Sequence, residues 1–261
     1  MSEVDPILTR RDAGGIATLT LNRPAARNAL SVALMTELEK ALAAIAADAS
    51  VKVVVLASAG PAFCAGHDLK EMRALTGRDE VAAVFALCSR VMTAVVRLPQ
   101  PVIAKVHAMA TAAGCQLVAS CDLAYASTDA KFATPGVNIG LFCSTPMVAL
   151  SRAVGRKQAM EMLLSGVPVD AAMAERWGLV NRVVPAEALD GAVAEMAGLI
   201  AAKSPYTLKV GKEAFYRQLE MGLDDAYAHA SRVMTENMLA MDAAEGIDAF
   251  LEKRPPVWRG C

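Results

Sequence analysis

Two stretches hold most of the residues that could act on a substrate. The first, Phe63-Cys64-Ala65-Gly66-His67-Asp68-Leu69-Lys70, gathers a thiol, an imidazole and a carboxylate around a glycine. The second is Val102–Gly140. There a β-branched run, Val102–Val106, gives way to the small residues Ala110, Thr111, Ala112, Ala113 and Gly114, then to an apolar run through Leu117, Val118 and Cys121. A strand that stops in tiny side chains and restarts as a helix leaves main-chain N–H groups without internal partners, and such groups hold anions. Two readings stay open: half of an oxyanion hole, or close packing of helix on sheet, which also selects Ala and Gly. The Phe63–Lys70 loop follows a strand-like run, Val51–Ala57, just as the Ala-rich turn follows Val102–Val106. Loops leaving the carboxyl ends of parallel strands form the ligand crevice of an open sheet. One N–H from each loop on one carbonyl oxygen would stabilise an enolate-like charge by about a few kcal/mol per donor.

The other reactive side chains have competing readings. His67 offers either its ring or only its main chain. Asp68 reads as a loop-capping carboxylate before a base. Cys143 and Ser144 follow the Pro135-Gly136 loop, and packing is the simpler account of both. Cys64 and Cys115 lie near the cleft without a paired histidine, which a thiol nucleophile needs. His107 and His229 read as structural. Met234, Met238 and Met241 recur at helical spacing and read as packing or subunit contact.

The elements that must position these residues alternate in type. Ile7–Arg11 and Ile16–Leu21 form a hairpin around Asp12-Ala13-Gly14-Gly15. Ser31 caps a helix reaching about Ala47, with Leu34, Leu38, Leu42 and Ile45 on one stripe. Val51–Ala57 is apolar enough to be covered on both faces. Ser58–His67 is a loop, a helical piece follows from Asp68, and a longer helix spans about Asp79 to Leu98, ended by Pro99 and Pro101. After the Val102 strand and its helix comes Leu123–Ala126. Strands alternating with helices indicate an α/β class. Beyond Gly140 the pattern is helical: Pro146–Val154, Lys157–Leu164, Asp170–Trp177, Glu187–Lys203, Thr207–Met221 and a last helix over about Asp224–Met241. Val180–Val184 is the one later strand. The expected organisation is a core over 1–200 with a helical lid or assembly region over 201–261.

Composition narrows the function classes. The 261 residues are 55% hydrophobic and 5% aromatic, so core volume comes from aliphatic side chains. Net charge is −1, which gives nucleic acid no basic face. No apolar run is long and charge-free enough to span a bilayer, and the N-terminus lacks a secretory layout. The six cysteines are scattered without CxxC or zinc-finger spacing, which suggests a reduced, cytoplasmic setting.

The chain resembles the crotonase, or enoyl-CoA hydratase/isomerase, superfamily over essentially its whole length. The matching residues are Leu21-Asn22-Arg23-Pro24 with Asn28-Ala29-Leu30, and Ala65-Gly66-x-Asp68-Leu69-Lys70-Glu71-Met72. They continue through Gly114-Cys115 to Cys121-Asp122, Phe132-Ala133-x-Pro135 and Ala174-x-x-x-Gly178-Leu179-Val180, and end in Glu245-Gly246-x-x-Ala249-Phe250-Leu251-Glu252-Lys253-Arg254. Phe132–Pro146 and Pro255-Pro256-Val257-Trp258 are most like the enoyl-CoA hydratase domain-containing protein 3 branch. The resemblance implies a crotonase-like ββα superhelix with a C-terminal helical trimerisation region. It also implies an acyl-CoA thioester held by the N–H groups of His67 and Ala113. Ala65, Asp68, Leu69 and Lys70 would line the CoA path, and Phe250 and Lys253 would approach the CoA from the tail. Trimers or dimers of trimers follow, with no metal or redox cofactor.

One departure from the family matters. Its hydratases carry two glutamates; here Gln116 and Gly136 stand in those places. Glutamine does not titrate and glycine has no side chain, so the acid–base pair that hydration needs is missing. Ala112 and Ala113 replace glycines, and alanine wants an ordinary backbone conformation. The implied function is therefore an acyl-CoA-binding family member with weak or absent two-glutamate hydration. The alternatives are a non-catalytic acyl-CoA binder or a thioesterase using His67 or a thiol. A bicarbonate ion borrowed beside Gly136 is a further expectation.

Overall fold

The computed structural model describes residues 5–261. It opens on the expected hairpin, β1 (Leu8–Ala13) antiparallel to β2 (Ile16–Leu21) across Gly14 and Gly15, both at positive φ. A two-residue hairpin turn demands that conformation, and glycine adopts it without steric cost. Helix α1 (Val32–Ala46) starts where Ser31 accepts the Leu34 N–H, and it buries the Leu34, Leu38, Leu42 and Ile45 stripe.

The chain then makes three similar passes: a strand in a long sheet, a short strand in a second sheet, then helix. The first pass is β3 (Val53–Ser58), β4 (Ala62–Cys64), α2 (Leu69–Ala74) and α3 (Arg78–Arg97). The second is β5 (Val102–Val106), β6 (Met109–Thr111) and α4 (Ala113–Ser120). The third is β7 (Leu123–Ser127), β8 (Lys131–Ala133), a 3-10 turn over Pro135–Ile139, α5 (Pro146–Ala153) and α6 (Arg156–Ser165). There follow β9 (Val169–Asp170), α7 (Ala171–Trp177), β10 (Arg182–Val184), α8 (Leu189–Ala201), α9 (Pro205–Gln218), α10 (Leu223–Met238) and α11 (Met241–Glu252).

The long sheet runs β1-β2-β3-β5-β7-β10 and is parallel beyond the hairpin. The short sheet runs β4-β6-β8-β9. Both faces of β3 are covered, as its unbroken apolar run requires. Val54 and Leu56 enter the main core, and Val53 and Val55 pack with Leu189, Val193 and Ala197 of α8.

Three expectations change here, the first being that the late strand over 180–184 is joined by a second, β9. The site loops do not leave the long strands directly; β4 and β6 intervene, where the sequence reads as loop. Three-residue strands are too short to show a period. Helix α11 lies beyond the last expected helix, because the break at Leu239-Ala240 contains neither Gly nor Pro.

Two polar clusters tie the last helices down. Lys212 of α9 donates to the Val95 and Gln100 carbonyls and, at 2.6 Å, to Asp122, which also accepts from the Tyr216 hydroxyl and the Val102 N–H. Burial lowers the Lys212 pKa, and it raises that of Tyr216. A cavity of about 1200 Å³ borders this cluster between α4, α5 and α9, and its lining contains neither His67 nor Gln116. At the C-terminus the Asp242 carboxylate, 1% exposed, accepts from the Ser204 hydroxyl and the Arg259 and Gly260 N–H groups. Its own N–H donates to the Cys261 carbonyl, and the Trp258 indole donates to the Ala202 carbonyl. The final residues are thus folded back onto α11.

Candidate active site

Strands β4 and β6 are parallel neighbours, so their carboxyl ends lie side by side. The loop Ala65–Asp68 leaves one, and the turn into α4 leaves the other. The contact between them is close. A Cβ on Gly66 (φ +86) would lie 2.8 Å from the Ala112 Cβ and 3.2 Å from the Ala113 nitrogen, and a Cβ on Gly114 would overlap the Cys64 carbonyl. The packing reading of the Ala-rich turn holds at Gly114, and Ala113 is the first residue of α4.

The free amides follow from the local pairing. Leu30 donates its N–H to the Gly66 carbonyl at 2.7 Å, and Asp68 donates to the Leu30 carbonyl at 3.2 Å. In extended chain, successive N–H groups point to opposite sides. Gly66 and Asp68 use the side facing Leu30, which turns the His67 N–H to the other side. Among the described residues it has no acceptor, and neither does the Ala113 N–H at the first turn of α4. Ala112, just before it, has φ +49 and ψ −119, a conformation that L residues rarely adopt. This corrects the expectation of an ordinary alanine backbone. The Ala112 N–H donates to the Ala133 carbonyl at 2.9 Å, and the Gln116 N–H returns to the Ala112 carbonyl.

The side-chain end is neutral. Gln116 is 4% exposed, and its Oε1 has no hydrogen-bond partner. Thr134 Oγ1 and His67 Nε2 are likewise buried and unpartnered. Gly136 is buried, and a Cβ there would meet the Leu141 carbonyl oxygen at 2.5 Å and Cys143 Sγ at 2.9 Å. The space a second carboxylate would enter is occupied. The same carbonyl and thiol occupy the space beside Gly136 that a borrowed bicarbonate would enter.

Most reactive side chains are held back. Burial pushes the Cys64 and Cys115 thiols up to about 12 and raises Cys143 as well, which disfavours thiolate chemistry at neutral pH. Burial lowers the His67 pKa, and its ring meets Phe85 edge-on at 5.3 Å. Burial favours protonation of Asp68, but the Arg23 hydrogen bond and the Glu71 and Lys70 N–H groups outweigh it, leaving the carboxyl below its usual range. Asp68 is the N-cap of α2 and pairs with Arg23 at 3.1 Å, as the capping reading expects. His107 bonds the Gly60 carbonyl. Among the described residues, no group of three His, Cys, Asp or Glu could hold a metal.

Ala65 is half-buried, while Leu69 and Lys70 are exposed at the rim. Phe250, 82% exposed, and Lys253, the left-handed cap of α11, sit on a helix that packs chiefly against α9 and α10. Among the described residues, the main packing of α11 is against α9 and α10 and not against the Ala65–Lys70 loop. The sequence reading missed Phe85 and the Leu141 carbonyl, neither of which leaves any pattern in sequence.

Known proteins share this architecture. The sequence model described as enoyl-CoA hydratase/isomerase matches residues 11–261. The chain belongs to the enoyl-CoA hydratase/isomerase family. Within the family, it is 48% identical over 258 residues to the mitochondrial enoyl-CoA hydratase domain-containing protein 3 of Mus musculus, covering 98% of this chain and 86% of that one. The crystal structure of human enoyl-CoA hydratase domain-containing protein 3 superposes with a TM-score of 0.94 at 47% identity, covering 97% of this chain and all of that one. An enoyl-CoA hydratase from Mycobacterium smegmatis gives 0.95 at 56% identity, over 97% and 99% of the two chains. The crotonase fold and the domain-containing protein 3 branch read from the motifs are thereby established for this family member. No helix among the described residues is long and apolar enough to cross a membrane.

Proposed function

We propose that this chain binds an acyl-CoA thioester with its carbonyl oxygen between the N–H groups of His67 and Ala113, and that two-glutamate hydration is weak or absent. One observation carries the reading: on two loops in close contact, the His67 and Ala113 main-chain amides lack acceptors among the described residues. Such donors, fixed in advance, stabilise charge that develops on a thioester oxygen. Gln116 and Gly136 supply no proton carrier, and Gln116 serves to orient a water or the acyl chain. The CoA then follows Ala65, Asp68, Leu69 and Lys70 outward. Phe250 and Lys253 reach it from a neighbouring subunit of a trimer or a dimer of trimers. No metal or redox cofactor enters.

The filled space at Gly136 favours a second reading, a non-catalytic acyl-CoA binder. A thioesterase built on His67 lacks an orienting carboxylate on the ring, whose Nε2 is unpartnered. The five buried free thiols suit a reducing compartment such as the cytosol, while the mouse relative's name is mitochondrial.

A panel of acyl-CoA thioesters, followed by mass spectrometry, with acetoacetyl-CoA binding in parallel, tests both readings. Thioester binding without crotonyl-CoA hydration is expected. Hydration at the rate of a good hydratase would overturn the assignment of Gln116 and Gly136. Binding with no turnover of any thioester selects the non-catalytic binder.

A further inference from the structure

We propose that Asn28 is a positioning residue that sets the aim of the His67 N–H. The inference rests on the reading of that N–H as one of the two donors to the thioester oxygen. Asn28 is fully buried. It has φ +53 and follows Arg27 at φ +50, so two successive non-glycine residues stand in the left-handed region. Such a pair persists only where its surroundings over-determine it.

The side-chain amide does this. Its Oδ1 accepts the Arg23 N–H at 2.8 Å, and its Nδ2 donates to the Ala59 carbonyl at 2.7 Å and the Ala62 carbonyl at 2.9 Å. Ala59 and Ala62 flank the entry to β4. At the exit of β4, Ala65 donates its N–H to the Arg27 carbonyl at 3.0 Å, and Leu30 engages Gly66 and Asp68. Segment 27–30 is thereby laid along 62–68 from end to end. Arg23 closes the far end, donating to the Ala29 carbonyl at 2.6 Å and to Asp68 at 3.1 Å. The His67 N–H is left to face the Ala113 side because its two neighbours are held on the Asn28 side. Removing the amide frees segment 27–30 to relax from its left-handed turn, and the Leu30 rail that orients Gly66, His67 and Asp68 moves with it.

The residue type is specific. Asparagine alone among side chains of this size offers an acceptor and two hydrogens in one plane. Aspartate would set a negative oxygen against two carbonyls.

The test uses the full chain with Asn28→Gly, which tolerates the backbone angle and deletes the amide. The readouts are affinity for acetoacetyl-CoA, affinity for CoA lacking an acyl group, and the carbon-13 shift of the thioester carbonyl in the bound ligand. The expected result is thioester binding weakened about tenfold, a clearly smaller loss for CoA, and a carbonyl resonance displaced back toward its free position. A bound carbonyl shift identical to the parent's overturns the proposal, as does an equal loss for CoA and thioester. If the parent protein itself causes no carbonyl shift on binding, the two-amide reading fails first, independently of Asn28. Should Asn28→Gly not fold, the smaller neutral Asn28→Ser, which sets no charge against the two carbonyls, is read in the same way, and the same carbonyl displacement is expected.

Discussion

The two ends of the candidate site are built from different materials. The His67–Ala113 end is main chain, placed by neighbouring strands and by glycines that allow close approach. The Gln116–Gly136 end depends on side chains, and there the chain offers an amide and a hydrogen atom. Backbone donors survive substitution because any residue but proline supplies an N–H, whereas a proton carrier vanishes with one change of side chain. A family member can therefore keep charge stabilisation and lose acid–base chemistry while its fold stays the same.

The largest effect that would break this contrast is expected at Gly114. Gly114→Ala pushes a methyl into the Cys64 carbonyl, so α4 must separate from the Ala65–Asp68 loop. We expect destabilisation of about 3 kcal/mol and loss of acetoacetyl-CoA binding, measured by urea unfolding and titration. A variant that binds like the parent would show that the two loops need not touch.

Next comes restoration of the missing pair. Gln116→Glu with Gly136→Glu should leave crotonyl-CoA hydration at least ~100-fold below a good hydratase, because the second side chain meets the Leu141 carbonyl and Cys143. A rate closer than that would mean that side-chain identity alone separates the two ends.

A smaller gain is expected from Ala112→Gly, which removes an unfavourable φ of +49. The melting temperature should rise, in line with about 1 kcal/mol, while thioester binding persists. Lower stability would place the origin of that backbone angle elsewhere.

The smallest effect concerns pH. The Asp68 carboxyl is held below its usual range, so it stabilises the fold above about pH 4, and that contribution is lost as pH falls through the depressed folded value. Asp68→Asn should remove part of the acid limb of the stability profile, by less than about 1 kcal/mol. An unchanged acid limb would dissociate the Arg23–Asp68 pair from loop stability.

Much of this was legible in sequence because it is local. Ser31 as a cap, the Leu34–Ile45 stripe, the Val102–Val106 strand and the Gly14-Gly15 hairpin all follow from near neighbours. The substitutions at 116 and 136 were also plain once the flanking motifs aligned. What escaped depends on contacts between distant segments. The three-residue strands β4, β6 and β8 exist only because they pair with one another. The reason a side chain cannot simply return at 136 is a main-chain oxygen five residues on, which no pattern of residue types encodes.

The folded-back terminus carries a practical consequence. Cys261 is the one exposed thiol of the six, beside Met241, while its own carbonyl fastens the end of the chain to Asp242. A single maleimide dye would therefore label one known position, and its anisotropy would report release of the tail in real time, with no cysteine needing to be engineered in or out.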